Sequence, residues 1–264
     1  MFDTDLLLRN KNLPLAFCPM KIDLSIVVPA YDEQDRLGDS VRKILGYLGE
    51  EKFVAELIVV DDGSGDNTAK IAEEAGAEFP EAEVNVIRYE QNRGKGYAVK
   101  TGLLAARGDV ALFSDADLST PIEEMHKLID PIRSGEFDVT FGSRALDRSL
   151  ISTHQPWVRE QGGRVMNLVI KTMSGLPFLD TQCGFKAFNM DKFRPLLDVM
   201  RIDRFGFDIE FLFVAKYHKL RLKEIPVRWA DVEGSKLRVV RDTGRMFGEL
   251  AQIRKNARKG DYDI

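Results

Sequence analysis

The sequence predicts an α/β fold: a mostly parallel central sheet with helices on both faces, in a single domain. Three observations predict it. Short apolar runs that end in, or lead straight into, polar or acidic residues recur at 24–30, 56–62, 84–90, 109–115 and 137–144. Between them lie stretches with apolar residues at helical spacing, such as Leu37, Val41, Ile44, Leu45 and Leu48. The links between the two kinds of segment are short, which marks strand–helix alternation and a sheet covered on both faces.

Taken in order, "LSIVVPA" (24–30) is a strand, followed by the helix that carries Leu37 to Leu48. "ELIVVDD" (56–62) is the second strand, with a helical stretch through Ala69, Ala72 and Ala75 behind it, capped by Asp66 or Asn67. "VNVIRYE" (84–90) is the third strand, and a helix runs near 95–107. "DVALFSD" (109–115) is the fourth. Thr120 as N-cap, Pro121 at the first position and Glu123 three residues on predict a capping box for the next helix. "FDVTFGSR" (137–144) is the fifth strand. After Arg144 the rhythm changes. A polar loop (145–156) leads to a helix at 159–174, a turn at "SGLPF" and an extended "TQCGFKAFN". A helix near 207–219, a strand "RLKEIPVRW" (221–229) and a basic helix near 242–259 follow. There is no repeat, low-complexity tract or linker.

The totals exclude several classes. Hydrophobic residues are 44% and charged residues 30%, as in an ordinary soluble protein. A net charge of −4 gives no general attraction to nucleic acid, which is not an expected partner. Cys18 and Cys183 fit no disulfide or metal framework, so a reducing, cytoplasmic setting is expected. No stretch reaches the length of a membrane span. "LLL" and "LPLAF" near the start are too short and interrupted for a signal peptide. His126, His154 and His218 show no metal-ligand spacing.

Ligands of such sheets bind beyond the carboxyl ends of the strands, and there the chemistry collects. "VPAYDE" (28–33) supplies a flat ring at Tyr31 and a carboxylate at Glu33, groups suited to a nucleoside. "VVDDGSGDNT" (59–68) supplies Asp61 and Asp62; successive strand residues face opposite ways, so one of the two need face a ligand. "NRGKGYA" (92–98) offers close backbone approach and Lys95 for a phosphate. Asp115 and Asp117 end the fourth strand. Like charges held that close repel, unless the loop is simply wet or a cation lies between them. A hard divalent cation on two carboxylates takes its other ligands from water and substrate phosphates, so the pair reads as half a site completed by a nucleoside diphosphate.

"SIVVPAYDE", "VVDDGSGDNT", "NRGKGYAVKTGLLAARGD", "DADLS", "FGSR" and "DTQCGFKAF", in this order and spacing, resemble glycosyltransferase family 2, whose fold is GT-A. The resemblance covers residues 23–240 and is nearest to the polyprenyl-phosphate (dolichyl-phosphate) hexosyltransferases. It divides the chain into an arm (1–22), a GT-A domain (23–240, with a donor half 23–144 and an acceptor half 145–240) and a basic helix and tail (241–264). It implies inverting transfer from a nucleotide sugar, with Mg2+ or Mn2+ as cofactor. By position, Pro29, Ala30, Tyr31, Glu33, Asp61 or Asp62, Lys95, Asp115 and Ala116 would bind the donor, with Asp115 and Asp117 on the metal. Mannosyl-transferring relatives often carry Gln two residues after the second Asp; Ser119 stands here, which leaves a third metal ligand open. "DTQCGFK" and "VRWADVEGSKL" resemble the glucosyl branch, so UDP-glucose is favoured and GDP-mannose is the alternative.

A phosphate acceptor is already an anion and needs positive charge, whereas a hydroxyl acceptor needs a general base. Arg144, Arg159, Arg164 and Lys236 are the expected acceptor-phosphate cations, with Lys186 also in that half. Asp180, Gln182 and Glu210 are expected at the sugar or acceptor pocket. Asp117, Arg144 and Asp208 are the expected catalytic groups; Asp208 and Glu210 can bind sugar hydroxyls, pair with an arginine or serve as base. The competing readings are a soluble hydroxyl acceptor and a nucleotide-sugar-binding protein without turnover. The terminal helix carries Arg254, Lys255, Arg258 and Lys259 beside an apolar stripe of Met246, Phe247, Leu250 and Ile253. It either lies on an anionic membrane face as a peripheral contact or, as terminal helices usually do, docks its stripe on the sheet.

Overall fold

The computed structural model describes residues 21–51, 54–153, 157–232 and 239–264, with only the backbone described at 157–161, 163–165 and 239–243. The expected arm therefore lies almost wholly outside the described residues. The main sheet has seven strands: β1 (Leu24–Ala30), β2 (Ala55–Asp61), β3 (Glu83–Arg88), β4 (Val110–Ser114), β5 (Val139–Ser143), β7 (Phe185–Asn189) and β8 (Leu222–Pro226). They run in the order β3-β2-β1-β4-β7-β5-β8. β1 is parallel to β2 and β4, and β5 to β8. β7 is antiparallel to both β4 and β5. It enters between them, so β4 and β5 point the same way and their carboxyl ends share one edge. A short parallel pair, β6 (Ile151–Thr153) and β9 (Trp229–Ala230), forms a second sheet.

The strands are apolar because both faces are covered. In β1, Val27 packs into one core cluster, while Ile26 and Val28 pack into the other. The first face holds α3 (Lys95–Ala105), α6 (Met190–Leu197), α7 (Phe207–Tyr217) and α8 (Val239–Lys259). The second holds α1 (Leu37–Glu50), α2 (Thr68–Ala77) and α4 (Met125–Arg133). Phe113, Phe207, Phe211, Phe188 and Phe193 form an edge-to-face and stacked series beneath β4 and β7. Each such ring contributes about 1.5–3 kcal/mol by leaving water. α5 (Trp157–Ser174) packs on α7 and α8.

One local expectation changes, and one choice between two readings is decided. The capping box at Thr120 does not form: Ile122–Glu124 is a 3-10 turn without a side-chain cap, and α4 begins at Met125. Thr120 is buried beside Cys183 instead, and Glu124 is drawn inward to accept from Arg228 Nε (2.5 Å) and Lys127 Nζ (2.6 Å). In α8, Met246, Leu250 and Ile253 are buried and Phe247 is 36% exposed, so the apolar stripe docks on the core. Arg254, Lys255, Arg258 and Lys259 are exposed. Among the described residues, no helix is long and apolar enough to cross a membrane.

Candidate active site

The chain turns sharply at the end of β4. Asp115 N–H donates to the Gly184 carbonyl (3.0 Å), Leu118 N–H to the Asp115 carbonyl (3.2 Å) and Ser119 N–H to Asp117 Oδ1 (2.9 Å). Leu118 takes a φ of +47°, which closes the turn. Ser40 of α1 donates to the Ala116 carbonyl at 2.6 Å and fastens it from below. Both carboxylates are therefore presented, partly exposed, at the sheet edge.

Lys95, the first residue of α3, reaches Asp115: Nζ lies 2.6 Å from Oδ1 and 5.6 Å from the Phe113 ring centre. Burial opposes its charge, but Asp115, Asp208 and Asp117 outweigh that and hold the ammonium above its usual range. Lys186 of β7 is fully buried and donates to the Cys183 carbonyl (2.6 Å) and to Asp208 Oδ1 (2.5 Å). Burial raises the Asp208 pKa, while Lys186 and Lys95 pull against it without cancelling the rise. Charges thus alternate across the site, from Asp115 to Lys95 to Asp208 to Lys186. The partner of Asp208 is a lysine and not an arginine.

Arg144, at the end of β5, forms a two-pronged pair with Asp180: Nε to Oδ2 at 2.7 Å and Nη2 to Oδ1 at 2.9 Å, with its own N–H on Oδ2 at 3.0 Å. Burial would raise the Asp180 carboxyl, yet Arg144 brings it below the ordinary range. Glu224 of β8 braces this corner by accepting from Ser143 Oγ (2.7 Å) and from the N–H groups of Leu179 and Asp180 (3.0 and 2.8 Å). Gln182 Nε2 reaches Met246 Sδ of α8 at 3.2 Å.

On the nucleoside side, Pro29 and Ala30 end β1 and Tyr31 is exposed. The Glu33 carboxylate pairs with Arg36, a residue the sequence did not single out, whose guanidinium also feels Asp117 and Asp115. Asp61 and Asp62 separate clearly. Asp62 is spent on the loop before α3: Oδ1 accepts Arg93 N–H (2.8 Å), and Oδ2 accepts Gly94 N–H (2.9 Å) and Asn92 Nδ2 (2.8 Å). Asp61 ties Ser64 through Oδ1 (2.9 Å), while its buried Oδ2 accepts no hydrogen bond and lies 3.4 Å from Arg88 Nε.

Glu210, expected at the sugar pocket, is instead taken up by the frame. It is fully buried and accepts from Arg201 N–H (3.0 Å), Ile202 N–H (2.8 Å) and Tyr262 O–H (2.7 Å). Arg159 and Arg164 lie on α5 with side chains outside the described residues, as does all of Lys236.

The donor set fits a hard divalent cation. Asp115 and Asp117 are the carboxylates at hand, and among the described residues no group of three His, Cys, Asp or Glu forms a closed metal cage. Such a cation tolerates two carboxylates when phosphate and water complete its shell. Asp115 Oδ1 is a buried oxygen whose neighbour is the Lys95 ammonium at 2.6 Å, so this carboxylate already faces a positive charge.

A mostly parallel sheet with carboxylates, an ammonium and a guanidinium gathered at one carboxyl edge is the arrangement expected of a nucleotide-diphospho-sugar transferase of the GT-A class. The chain belongs to glycosyl transferase family 2, whose family model matches residues 25–196. It is similar to the dolichyl-phosphate beta-glucosyltransferase of Dictyostelium discoideum, 33% identical over 94% of this chain and 77% of that one. The enzyme of that name from Homo sapiens is 32% identical over 87% of this chain and 74% of its own. Among solved structures, glucosyl-3-phosphoglycerate synthase of Mycobacterium tuberculosis, in complex with Mn2+, UDP-glucose and glycerol 3-phosphate, superposes with a TM-score of 0.62. It is 22% identical and covers 88% of this chain and 79% of that one. Mannosyl-3-phosphoglycerate synthase of Rubrobacter xylanophilus gives 0.64 at 18% identity, over 92% and 76% of the two chains. These structures share the fold.

Proposed function

We propose that this glycosyltransferase moves glucose from UDP-glucose to a polyprenyl phosphate, with inversion at the anomeric carbon. The observation that carries the reading is the shared edge: Asp115, Asp117 and Lys95 stand at the end of β4 and the start of α3, and the Arg144–Asp180 pair stands at the end of the parallel β5. The dolichyl-phosphate beta-glucosyltransferase names of the similar chains support the sugar and the acceptor. A Mn2+ complex of a chain with the same fold supports the cofactor class.

In this reading Tyr31 and Asp61 hold the nucleoside. Asp115 and Asp117 hold a divalent cation, Mg2+ or Mn2+, which as a Lewis acid would stabilise the charge that builds on the departing diphosphate. Lys95 adds a second positive charge to the same phosphates. Arg144, fixed by Asp180, meets the acceptor phosphate, and Arg159, Arg164 and Lys236 join it. The acceptor oxygen is already negative, so no base is needed. Asp208 holds Lys186 in place, and Gln182 borders the acceptor side.

The test is incubation with labelled UDP-glucose or GDP-mannose, with and without polyprenyl phosphate, followed by partition into organic solvent. Extractable label from UDP-glucose that requires the lipid phosphate is expected. Label that stays in water on a soluble glycan, or that enters the lipid only from GDP-mannose, contradicts the reading.

A further inference from the structure

Lys95 Nζ sits against the carboxylate of Asp115, one of the two that would hold a divalent cation. Nζ and Oδ1 are 2.6 Å apart, a direct ammonium–carboxylate ion pair. The lysine is aimed from outside the pair. Asp62 grips the N–H groups of Arg93 and Gly94 (2.8 and 2.9 Å) just before it. Gly94, at a φ of +111°, and Gly96 let this loop press on the 202–207 segment: a Cβ at Gly94 would fall 2.5 Å from the Asp203 carbonyl oxygen, and one at Gly96 2.6 Å from Phe207 Cβ. The neighbouring carboxylate, Asp208, is already bonded to Lys186. Lys95 is thus built to face Asp115. An ammonium and a dication cannot share one carboxylate oxygen, because cations a few ångströms apart repel strongly in a partly buried site.

We propose that Lys95 is a built-in stand-in for the divalent cation. Without nucleotide its ammonium neutralises Asp115 and keeps the metal out. An entering diphosphate offers Lys95 stronger anionic partners and draws it off Asp115, which then accepts the cation. Metal and nucleotide binding are coupled through this one side chain, and the coupling is reciprocal. The inference rests on reading Asp115 and Asp117 as the carboxylates of a divalent-cation site.

Mn2+ binding, followed by the electron paramagnetic resonance of the free ion, tests it without catalysis. Wild-type protein should bind Mn2+ at least about tenfold more tightly with UDP than without. Lys95→Met should bind Mn2+ without nucleotide at least about tenfold more tightly than wild type, while its affinity for UDP in metal-free buffer falls. Lys95→Arg, which keeps the charge, should not show the gain. Lys95→Gln replaces the Met variant if circular dichroism shows that the latter fails to fold. Neutral variants that bind Mn2+ no better than wild type overturn the proposal, and they leave the metal site standing if wild type binds Mn2+ with UDP. Wild-type binding as tight without UDP as with it overturns the proposal whatever the variants do. No Mn2+ binding by wild type even with UDP overturns both readings.

Discussion

The Asp115 carboxylate lies directly against the backbone of Gly184: a Cβ on residue 184 would stand 2.1 Å from Oδ2 and 2.3 Å from Cγ, while Asp115 N–H donates to the Gly184 carbonyl at 3.0 Å. The bare backbone just before β7 therefore forms the floor on which the carboxylate rests. Gly184→Ala should push Asp115 off that floor. The expected cost to the fold is that of a local overpacking, about 1–3 kcal/mol. Mn2+-dependent UDP binding should drop at least about tenfold, well beyond any loss of metal-free UDP binding. Calorimetric titration of the variant with and without Mn2+ checks this, and equal losses in both would show that Gly184 serves packing alone.

Asp138 anchors the far ends of β5 and β8 and gives a pH-dependent term. Its carboxylate, 4% exposed, accepts from Arg221 Nη2 (2.7 Å), Arg221 N–H (2.8 Å) and Lys192 Nζ (2.7 Å). The Arg221 side chain, followed against burial by Lys192, holds its pKa far below the usual carboxylate range. The folded pKa is thus below the unfolded value of about 3.9, so the stabilisation is complete above that pH and is lost as the pH falls through the folded value. Both cations are about half exposed, which screens the pair. Asp138→Asn should cost about 1–3 kcal/mol at neutral pH. In thermal melts the gap from wild type should hold down to about pH 4 and shrink as the pH falls further, and a gap that stays constant below that pH would refute the assignment.

Cys183 is 1% exposed, and burial pushes its thiol up to about 12. It should resist iodoacetamide in the folded protein at neutral pH and react once the chain is unfolded, because the thiolate is the nucleophile. Peptide mass spectrometry locates the modified residue. Rapid labelling of Cys183 under native conditions would contradict its place behind Thr120.

Much of this architecture is legible in the sequence because burial on both faces writes continuous apolar strands. β1 is observed over the same residues as expected, and the other early strands differ only at their ends. The antiparallel insertion of β7 was not legible: "TQCGFKAFN" shows extended character, but nothing local says which strands it pairs with. α6 went unread because it is short and contains Pro195. The Thr120 capping pattern misled because Arg228, distant in sequence, draws in Glu124 rather than Glu123. At the site, carboxylates after apolar runs stand out by their cost. Their partners do not. Lys95 with Asp115, Lys186 with Asp208 and Arg144 with Asp180 are joined by chain folding, and spacing along the sequence carries no mark of it. The division of labour between Asp61 and Asp62 likewise emerged only when the 92–94 loop came into view.

A metal-and-nucleotide site on Asp115 and Asp117 at the β4 edge stands or falls with Asp117→Asn. Asparagine keeps an oxygen for Ser119 N–H, now 2.9 Å from Oδ1, so the turn and the melting temperature should be preserved. It removes the charge that a divalent cation needs. UDP should be titrated calorimetrically into wild type and variant, with Mn2+ and with EDTA. Mn2+ should tighten UDP binding to wild type at least about tenfold, a coupling of about 1.4 kcal/mol, and leave the variant unchanged. A variant that keeps the full Mn2+ effect, or a wild type that binds UDP equally well in EDTA, would contradict it.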